Sequence, residues 1–442
     1  MDFPKEKIIR INWDFPGAVT QTLTHKYHSY PARFIPQIPR TIYNIFLGSG
    51  GSRIFDPFVG CGTSLVEGVL CQHHSGGVDQ NPLAILLSQV KTQPLEIKIL
   101  LDHWTNLKSH FTSSILKKEQ YSPRKFIFPK RNLTKRFTKE NIQVISLILD
   151  YIEQKIENNK HQSFFKVALS SAVSTLTESK SWRNVNIWKS FSSKIGAMIK
   201  IMKKFKFKIT EFNNGMQNDI KVGDARNLSF IPEATIDCIV TSPPYVNALD
   251  YNRIHQYNMS VLGFDYRSFA KVEIGAHGHH INNRWRLLTE YLYDMFQSMS
   301  EMGRITNVGG VICIVIGDSC LEYERIKSHI HFRELGELLG LTHQLSLSRN
   351  IDVASKSTSR DIGNIFLEHL IFFTKDKDFE SYTDAMIYEY IEHTMSCYLN
   401  HVKKSEGTCL RNKPVLSQER QELAVKRVEE AISRIKEDCR SL

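Results

Sequence analysis

The sequence predicts an α/β fold with an open, doubly wound, mostly parallel sheet. Three observations predict it. Short runs that are apolar nearly throughout recur along the chain, as strands covered on both faces do. Each run ends in a loop containing Gly, Asp or Pro, and helical patterns separate most of them. Polar residues stand at the predicted carboxyl ends of these runs: Asp56, Asp79, Asp224, Ser242 and Asp318. Ligands bind beyond those ends in such sheets.

The first strand and its loop are SRIFDPFVGCGTSLVEG (52–68). Asp56 ends the strand, and Gly60 and Gly62 let backbone approach a ligand closely. Ser64 and Glu67 have capping-box spacing for the next helix. The turn has neither GxGxxG nor GK[ST], so it indicates no pyrophosphate or triphosphate cradle. SGGVDQNP (75–82) is the second strand end. Asp79 there suits the two hydroxyls of a ribose.

A long insertion follows, far longer than a strand–helix–strand connection needs. Within it Ile142, Ile145, Leu149, Ile152 and Ile156 form one apolar helical stripe, and Thr138 is the expected N-cap. Trp182, Arg183, Asn184, Trp188 and Lys189 mix aromatic, polar and basic character, and KIGAMIKIMKKFKFK (194–208) is basic. The third strand, NDIKVGDARNL (218–228), ends in Asp224, placed to accept from an adenine amino group. Two carboxylates and a glycine turn without a phosphate cradle suit S-adenosylmethionine (SAM).

The fourth strand runs into TSPPY (241–245) and the fifth is GGVICIVIGDS (309–319). Proline has no N–H, so Pro243 and Pro244 present carbonyls only. The Ser242 hydroxyl and a loop carbonyl, most simply that of Pro243, can accept both protons of an exocyclic amino group. That aims the nitrogen lone pair at a sulfonium methyl. Tyr245 can stack on a base swung out of a duplex. THQLSLS (342–348) and NIFLEHLIFFTK (364–375) alternate more and predict a terminal antiparallel pair. Beyond Lys375 the chain reads as helical, with Val425, Val428, Ile432, Ile435 and Cys439 as a docking stripe.

The net charge of +11 favours a polyanionic partner. The eight cysteines include no CxxC pair, which predicts reduced, buried thiols rather than a disulfide frame or zinc site. HGHH (277–280) has no partner ligands at helix or knuckle spacing and reads as a polar loop, so no metal is expected. No signal-peptide pattern or membrane-spanning run is evident, and the expected location is cytoplasmic.

DPFVGCGT, TSPPY and HKYHSYPARFIPQIPR (25–40), in the positions they hold here, resemble motifs of the amino-methylating DNA methyltransferases, in particular the N4-cytosine type. The resemblance covers roughly residues 22–90 and 218–375. It implies a class I SAM methyltransferase sheet, Rossmann-like and seven-stranded with one antiparallel edge strand. It implies cofactor contacts from Tyr30, Pro31, Phe34, Asp56, Gly60, Gly62, Thr63, Asp79 and Asp224. Catalysis falls to Ser242, Pro243, Pro244 and Tyr245, by direct transfer to a flipped base of double-stranded DNA. Ser at the first motif position favours cytosine N4, with adenine N6 as the alternative. The family also implies a prokaryotic or phage source and a possible companion restriction endonuclease. C5-cytosine methylation is set aside, because its thiolate nucleophile is presented as Pro-Cys and no Pro-Cys occurs.

The expected organisation is a catalytic domain from 1–90 and 215–375, a helical insertion at 91–214 and a helical extension at 376–442. The insertion is the candidate target-recognition region, with Trp182, Arg183 and Lys189 as DNA contacts, and Arg253 is placed for a phosphate. Two rivals stand beside this reading: a tRNA guanine-N2 methyltransferase and a non-catalytic DNA-binding relative.

Overall fold

The computed structural model describes residues 3–116, 124–126, 136–210, 218–247, 249–276, 278–322, 324–351, 367–378, 382–404 and 418–440. Its centre is one seven-stranded sheet. The strands are β1 (Arg53–Asp56), β2 (His74–Asp79), β3 (Asn218–Val222), β4 (Ile236–Thr241), β5 (Thr306–Gly317), β8 (Thr342–Asn350) and β9 (Leu367–Thr374), in the order β3-β2-β1-β4-β5-β9-β8. A separate hairpin pairs β6 (Ser319–Leu321) with β7 (Glu324–Ile326).

Strands β3, β2, β1, β4 and β5 are parallel to one another. Strand β9 is antiparallel to both β5 and β8, so the late pair forms as the sequence predicts. The implied position is corrected, however: the antiparallel strand lies inside the sheet, and the edge strand β8 is parallel to the rest. Leu370, Ile371, Phe372 and Phe373 of β9 are each 0 % exposed, which suits an interior strand and not an edge.

Both faces of the sheet are covered, which explains the unbroken apolar runs. Ile54, Cys238, Val240, Cys313, Val315 and Phe372 meet the N-terminal segment, including α1 (Lys5–Ile9) and α2 (Gln37–Phe46). Phe55, Ile239, Ile312, Ile314, Ile371 and Phe373 face the opposite way, alternating with the first set as strand residues must. They meet α11 (Arg284–Ile305), α12 (Ser328–Leu338), α13 (Asp384–Lys403) and α14 (Gln418–Arg440). The C-terminal stripe is shifted from its predicted line. Ala424, Val428, Ala431 and Ile435 are the buried residues of α14, and Cys439 is exposed. Of the other described thiols, Cys61, Cys238 and Cys313 are buried but Cys397 is exposed.

Helices α3 (Thr63–Leu70) and α4 (Pro82–Thr92) follow β1 and β2. The insertion supplies α5 (Ile97–Leu116), α6 (Lys139–Lys155), α7 (Asn159–Glu178) and α8 (Ile187–Thr210). Thr138 caps α6 by accepting from Asn141 N at 3.1 Å. These helices do not build a core of their own. Phe164, Phe165, Ile145, Leu149, Phe191 and Met202 share one apolar cluster with Leu83 and Leu87 of α4 and with Met259 of α9 (Tyr251–Leu262). Helix α4 runs to Thr92, just past the expected start of the insertion at residue 91.

Helix α8 has a readable direction. Lys206, near its end, pairs with Glu96 just after α4. Trp188, near its start, stacks on Phe111 of α5 with ring centroids 3.6 Å apart. A helix of 24 residues spans about 35 Å. Its start therefore lies towards the carboxyl edge of the sheet, and its lysine-rich end lies towards the amino edge. No helix among the described residues is long and apolar enough to cross a membrane.

Candidate active site

The chain winds from β1 outward to β3, then restarts at β4 beside β1. That reversal opens a crevice beyond the carboxyl ends of β1 and β4. The cleft there encloses about 780 Å³ including its mouth. Its wall includes Tyr30, Phe34, Gly60, Cys61, Thr63, Asp79, Ser242 and Pro244, which brings all three sequence motifs to one place.

Asp79 is held at the floor. Its Oδ2 accepts from Gly60 N and its Oδ1 from Asn81 N, each at 2.8 Å. Burial pushes its carboxyl up to about 6 despite those two donors. Each carboxylate oxygen keeps further acceptor capacity for a ligand hydroxyl. Lys91 Nζ donates to Cys61 O at 2.9 Å and fixes the turn from below.

Gly62 is not in the cleft wall, but the turn requires it. Its φ is +81°, and a Cβ there would lie 2.8 Å from Ser88 Oγ and 3.0 Å from Ser88 Cα. Gly62→Ala is expected to destabilise the fold by about 1–3 kcal/mol, read as a lowered melting temperature by calorimetry.

The predicted capping box does not form. Helix α3 has Gly62 at its N-cap with no side-chain capping bond. Ser64 Oγ donates instead to Asp56 Oδ2. Glu67 is 0 % exposed and receives His25 Nε2 and Arg40 Nε, each at 2.7 Å. Tertiary partners have taken both residues. The exchange clamps the N-terminal motif onto the helix of the glycine turn.

Asp56 serves the scaffold. It is 1 % exposed, and besides Ser64 it accepts from Thr241 Oγ1 at 2.6 Å and Phe58 N at 3.0 Å. It thus ties the glycine turn to the residue before Ser242. Asp224 also lies outside the cleft wall. Arg226 grips it through Nε and Nη2 and Gln80 donates to it at 2.8 Å, while Gly223 and Ala225 line the cleft in its place. Arg226 also reaches Asp294 at 2.7 Å. Pro31 lies outside the cleft wall between its lining neighbours Tyr30 and Ala32.

In the proline motif, Ser242 and Pro244 line the cleft and Pro243 is buried beneath them. The Pro244 carbonyl is engaged by the Tyr291 hydroxyl at 2.8 Å. Tyr245 points along the sheet edge, away from Asp79. Its hydroxyl donates to Glu368 Oε1 at 3.3 Å on β9. Glu368 is ion-paired with Arg349, whose Nε donates to Trp13 O at 2.9 Å. Ser242 therefore shares the cleft wall with Asp79, while Tyr245 lies outside that wall and its side chain bonds Ser242 as well as Glu368.

Several residues of the site are not singled out from the sequence, although Arg33 and Asn81 fall inside the quoted stretches 25–40 and 75–82. Arg33, Asn81, Phe269, Glu273 and Ile274 line the cleft, as does Tyr251. Tyr30 stacks on His255 with centroids 4.7 Å apart, and on Tyr251 at 5.6 Å. Glu273 accepts from Tyr251 N at 2.5 Å and Asn252 N at 3.2 Å, capping α9 from outside. Burial pushes its carboxyl up to about 7. Behind the stack, His28 Nε2 lies 3.0 Å from Ser170 Oγ, and Asn258 Nδ2 donates to Ser170 O at 2.8 Å and Ser174 Oγ at 2.9 Å. This buried knot joins the N-terminal motif, α7 of the insertion and α9.

The candidate nucleic-acid residues divide. Arg253 is exposed on the first turn of α9. Arg183 is exposed over the Trp182 ring at 4.5 Å, and Lys189 is exposed on α8. Asn184 is exposed beside them, but Trp188 is packed on Phe111 and belongs to the core. His279 and His280 bond Ala270 O and Glu290, consistent with a loop, and His277 lies outside the described residues.

No protein-family model matches the chain. Solved structures with likeness to it include TTHA0409 of Thermus thermophilus complexed with S-adenosyl-L-methionine. It is 18 % identical over 42 % of this chain and 61 % of that one, with a TM-score of 0.22. The rRNA methyltransferase aviRa of Streptomyces viridochromogenes is 11 % identical over 79 % and 90 %, with a TM-score of 0.32. At these scores the superpositions add nothing to the topology above. Sequence similarity is closer. The chain is 30 % identical over 162 residues to Type II methyltransferase M.MvaI of Kocuria varians, covering 36 % of each chain. It is 38 % identical over 82 residues to Type II methyltransferase M.MjaII of Methanocaldococcus jannaschii, covering 18 % of this chain and 15 % of that one. The match thus spans about a third of the first relative and less of the second. Over a stretch of 162 residues the chain is similar in sequence to a Type II methyltransferase, and a shorter stretch is similar to a second.

Proposed function

We propose that the chain is a SAM-dependent DNA methyltransferase that modifies an exocyclic amino group, cytosine N4 in preference to adenine N6. One observation carries this reading: Asp79, the glycine turn and Ser242 line a single cleft, with Tyr245 bonded to Ser242 at its margin. The similarity to two Type II methyltransferases supports it, and the net charge of +11 suits a polyanionic substrate.

The residues fit this cofactor. Asp79 accepts from the ribose hydroxyls. Gly60, Cys61 and Thr63 offer close backbone approach to the amino-acid end, which Tyr30 and Phe34 enclose. Bound SAM supplies an electrophilic methyl on a cationic sulfur. The Ser242 hydroxyl and the Pro243 carbonyl accept the two protons of the base amino group and hold its lone pair on that line. Accepting those bonds also eases loss of one amino proton to solvent as nitrogen takes the methyl and the sulfur keeps the electron pair of the broken S–C bond. Tyr245, anchored by Glu368, stacks on the extruded base. Asp224, already saturated by Arg226 and Gln80, supports the cofactor side without facing it.

Double-stranded DNA meets the carboxyl edge, where Arg253, Trp182, Arg183 and Lys189 are presented; the lysine-rich end of α8 lies at the opposite edge. The catalytic unit is then 1–90 with 215–375. The 91–214 insertion reads the target sequence, and the 376–442 extension supports the α11 face. A restriction enzyme of matching specificity completes the biological reading.

The test is expression in a host whose DNA carries no methylated bases, followed by digestion of that DNA to nucleosides. N4-methylcytosine is the expected product. N6-methyladenine would replace the base assignment, and label from SAM entering tRNA alone would replace the substrate. SAM binding with no transfer to any nucleic acid would leave a binding protein.

A further inference from the structure

Three side chains from separate elements converge just past β5. Asp318 follows the strand, His329 lies in the first turn of α12, and His369 lies on β9. One ligand atom from each falls within 4.8 Å of the others. His329 Nδ1 is 2.8 Å from Asp318 Oδ1, and His369 Nε2 is 3.6 Å from the same oxygen. The two imidazoles are stacked with centroids 3.9 Å apart.

His369 is 5 % exposed, and its Nε2 has no hydrogen-bond partner. Such a buried polar atom requires an explanation. Its other nitrogen, Nδ1, lies 2.9 Å from Ser348 Oγ. A hydrogen bond at the second nitrogen is how metal-binding imidazoles are oriented. The His329 side chain is 25 % exposed, so solvent reaches the open side of the cluster. Arg325 holds the other carboxylate oxygen, Asp318 Oδ2, at 2.6 Å. That leaves Oδ1 facing the histidines, and the added positive charge lowers divalent affinity without occupying the ligand atom.

We propose that Asp318 Oδ1, His329 Nδ1 and His369 Nε2 form a binding site for a divalent transition metal of zinc-like preference, with Ser348 orienting His369. Two imidazoles and one carboxylate suit zinc and cobalt, whereas magnesium and calcium take oxygen ligands. An ion there pins the ends of β5 and β9 to α12. Glu368, which anchors Tyr245, is the next residue along β9, so the ion sits beside the catalytic edge but outside the cleft. Nothing in the sequence spacing announces such a site, because each ligand comes from a different element.

The experiment uses the full chain without a histidine tag, stripped with chelator and titrated with Co2+. The expected result is a saturable visible absorption band of low-symmetry Co2+, displaced by Zn2+. His329→Ala and His369→Ala are expected to abolish the band, and Ser348→Ala to weaken binding about tenfold. His329→Ala alters a partly exposed turn and remains decisive even where His369→Ala fails to fold. A wild-type chain with no such band, or a band that survives in His329→Ala, overturns the proposal. The readout is independent of methyl transfer, so failure of the methyltransferase reading would not imitate failure here.

Discussion

Ser242→Ala is expected to slow methyl transfer by about 10²- to 10³-fold, the effect of removing one preorganised hydrogen-bond partner at the reacting centre. Cofactor affinity is expected to change little, because Asp79 and the glycine turn are untouched. The two readouts are single-turnover transfer to DNA and equilibrium binding of SAM. Tyr245→Phe separates the ring from its anchor: it keeps the stacking face and loses the bond to Glu368. It is expected to be impaired far less than Tyr245→Ala. A Ser242→Ala enzyme with unchanged transfer would refute the amino-group clamp. Tyr245→Phe and Tyr245→Ala behaving alike would refute the stacking role.

Asp79→Ala is expected to weaken SAM binding by about 10²-fold or more, since hydrogen bonds to a charged group contribute about 1.5–3 kcal/mol each. Unchanged affinity would remove Asp79 from the cofactor site. The same carboxyl predicts a pH dependence. Burial raises it from 3.8 to about 6 in the folded chain. A folded-state pKa above the unfolded one contributes stability below pH ~4 that is lost as pH rises through ~6. Ribose binding has the opposite sign, because the ionised form is the stronger double acceptor. Affinity is therefore expected to fall as pH drops below about 6, and the slope to flatten in Asp79→Asn. Isothermal titration across that range reads both.

The parts of this fold visible in the sequence are those set by short-range pattern. Apolar runs ending in Asp or Ser are local, and each one marks a strand whose polar end lies on the expected edge. Thr138 caps its helix, and among the described residues no tertiary partner competes for it. Ser64 and Glu67 have equally good capping spacing, yet Asp56, His25 and Arg40 claim them from outside the helix. Strand order is non-local too, so the late antiparallel pair is legible but the interior place of β9 is not.

At the candidate site the same distinction holds. Asp79 is legible because a strand end and a glycine turn announce it. Asp224 shares the strand-end signal but not the place in the cleft wall, because Arg226, two residues away, holds its carboxylate, a competitor that the sequence itself displays. Trp188 has the aromatic-among-basic character of a nucleic-acid contact, but its spacing to Phe191 and Ile195 places it on the buried stripe of α8. Glu273 has no signature at all. It reaches the cleft from a loop after α10 (Tyr266–Val272) and is held there by the start of α9, whose backbone it caps.

The buried contact among His28, Ser170, Ser174 and Asn258 has a consequence for redesign. An inserted reader that hung from a hinge could be exchanged between enzymes like a cartridge, carrying its sequence preference with it. Here the inserted helices are keyed through a buried polar contact into both the N-terminal motif and the helix after the proline motif. A graft of residues 97–210 from a relative must therefore bring matching residues at 28 and 258. Without them the transplant leaves unpaired polar groups at the point where a new preference would have to reach the catalytic loop.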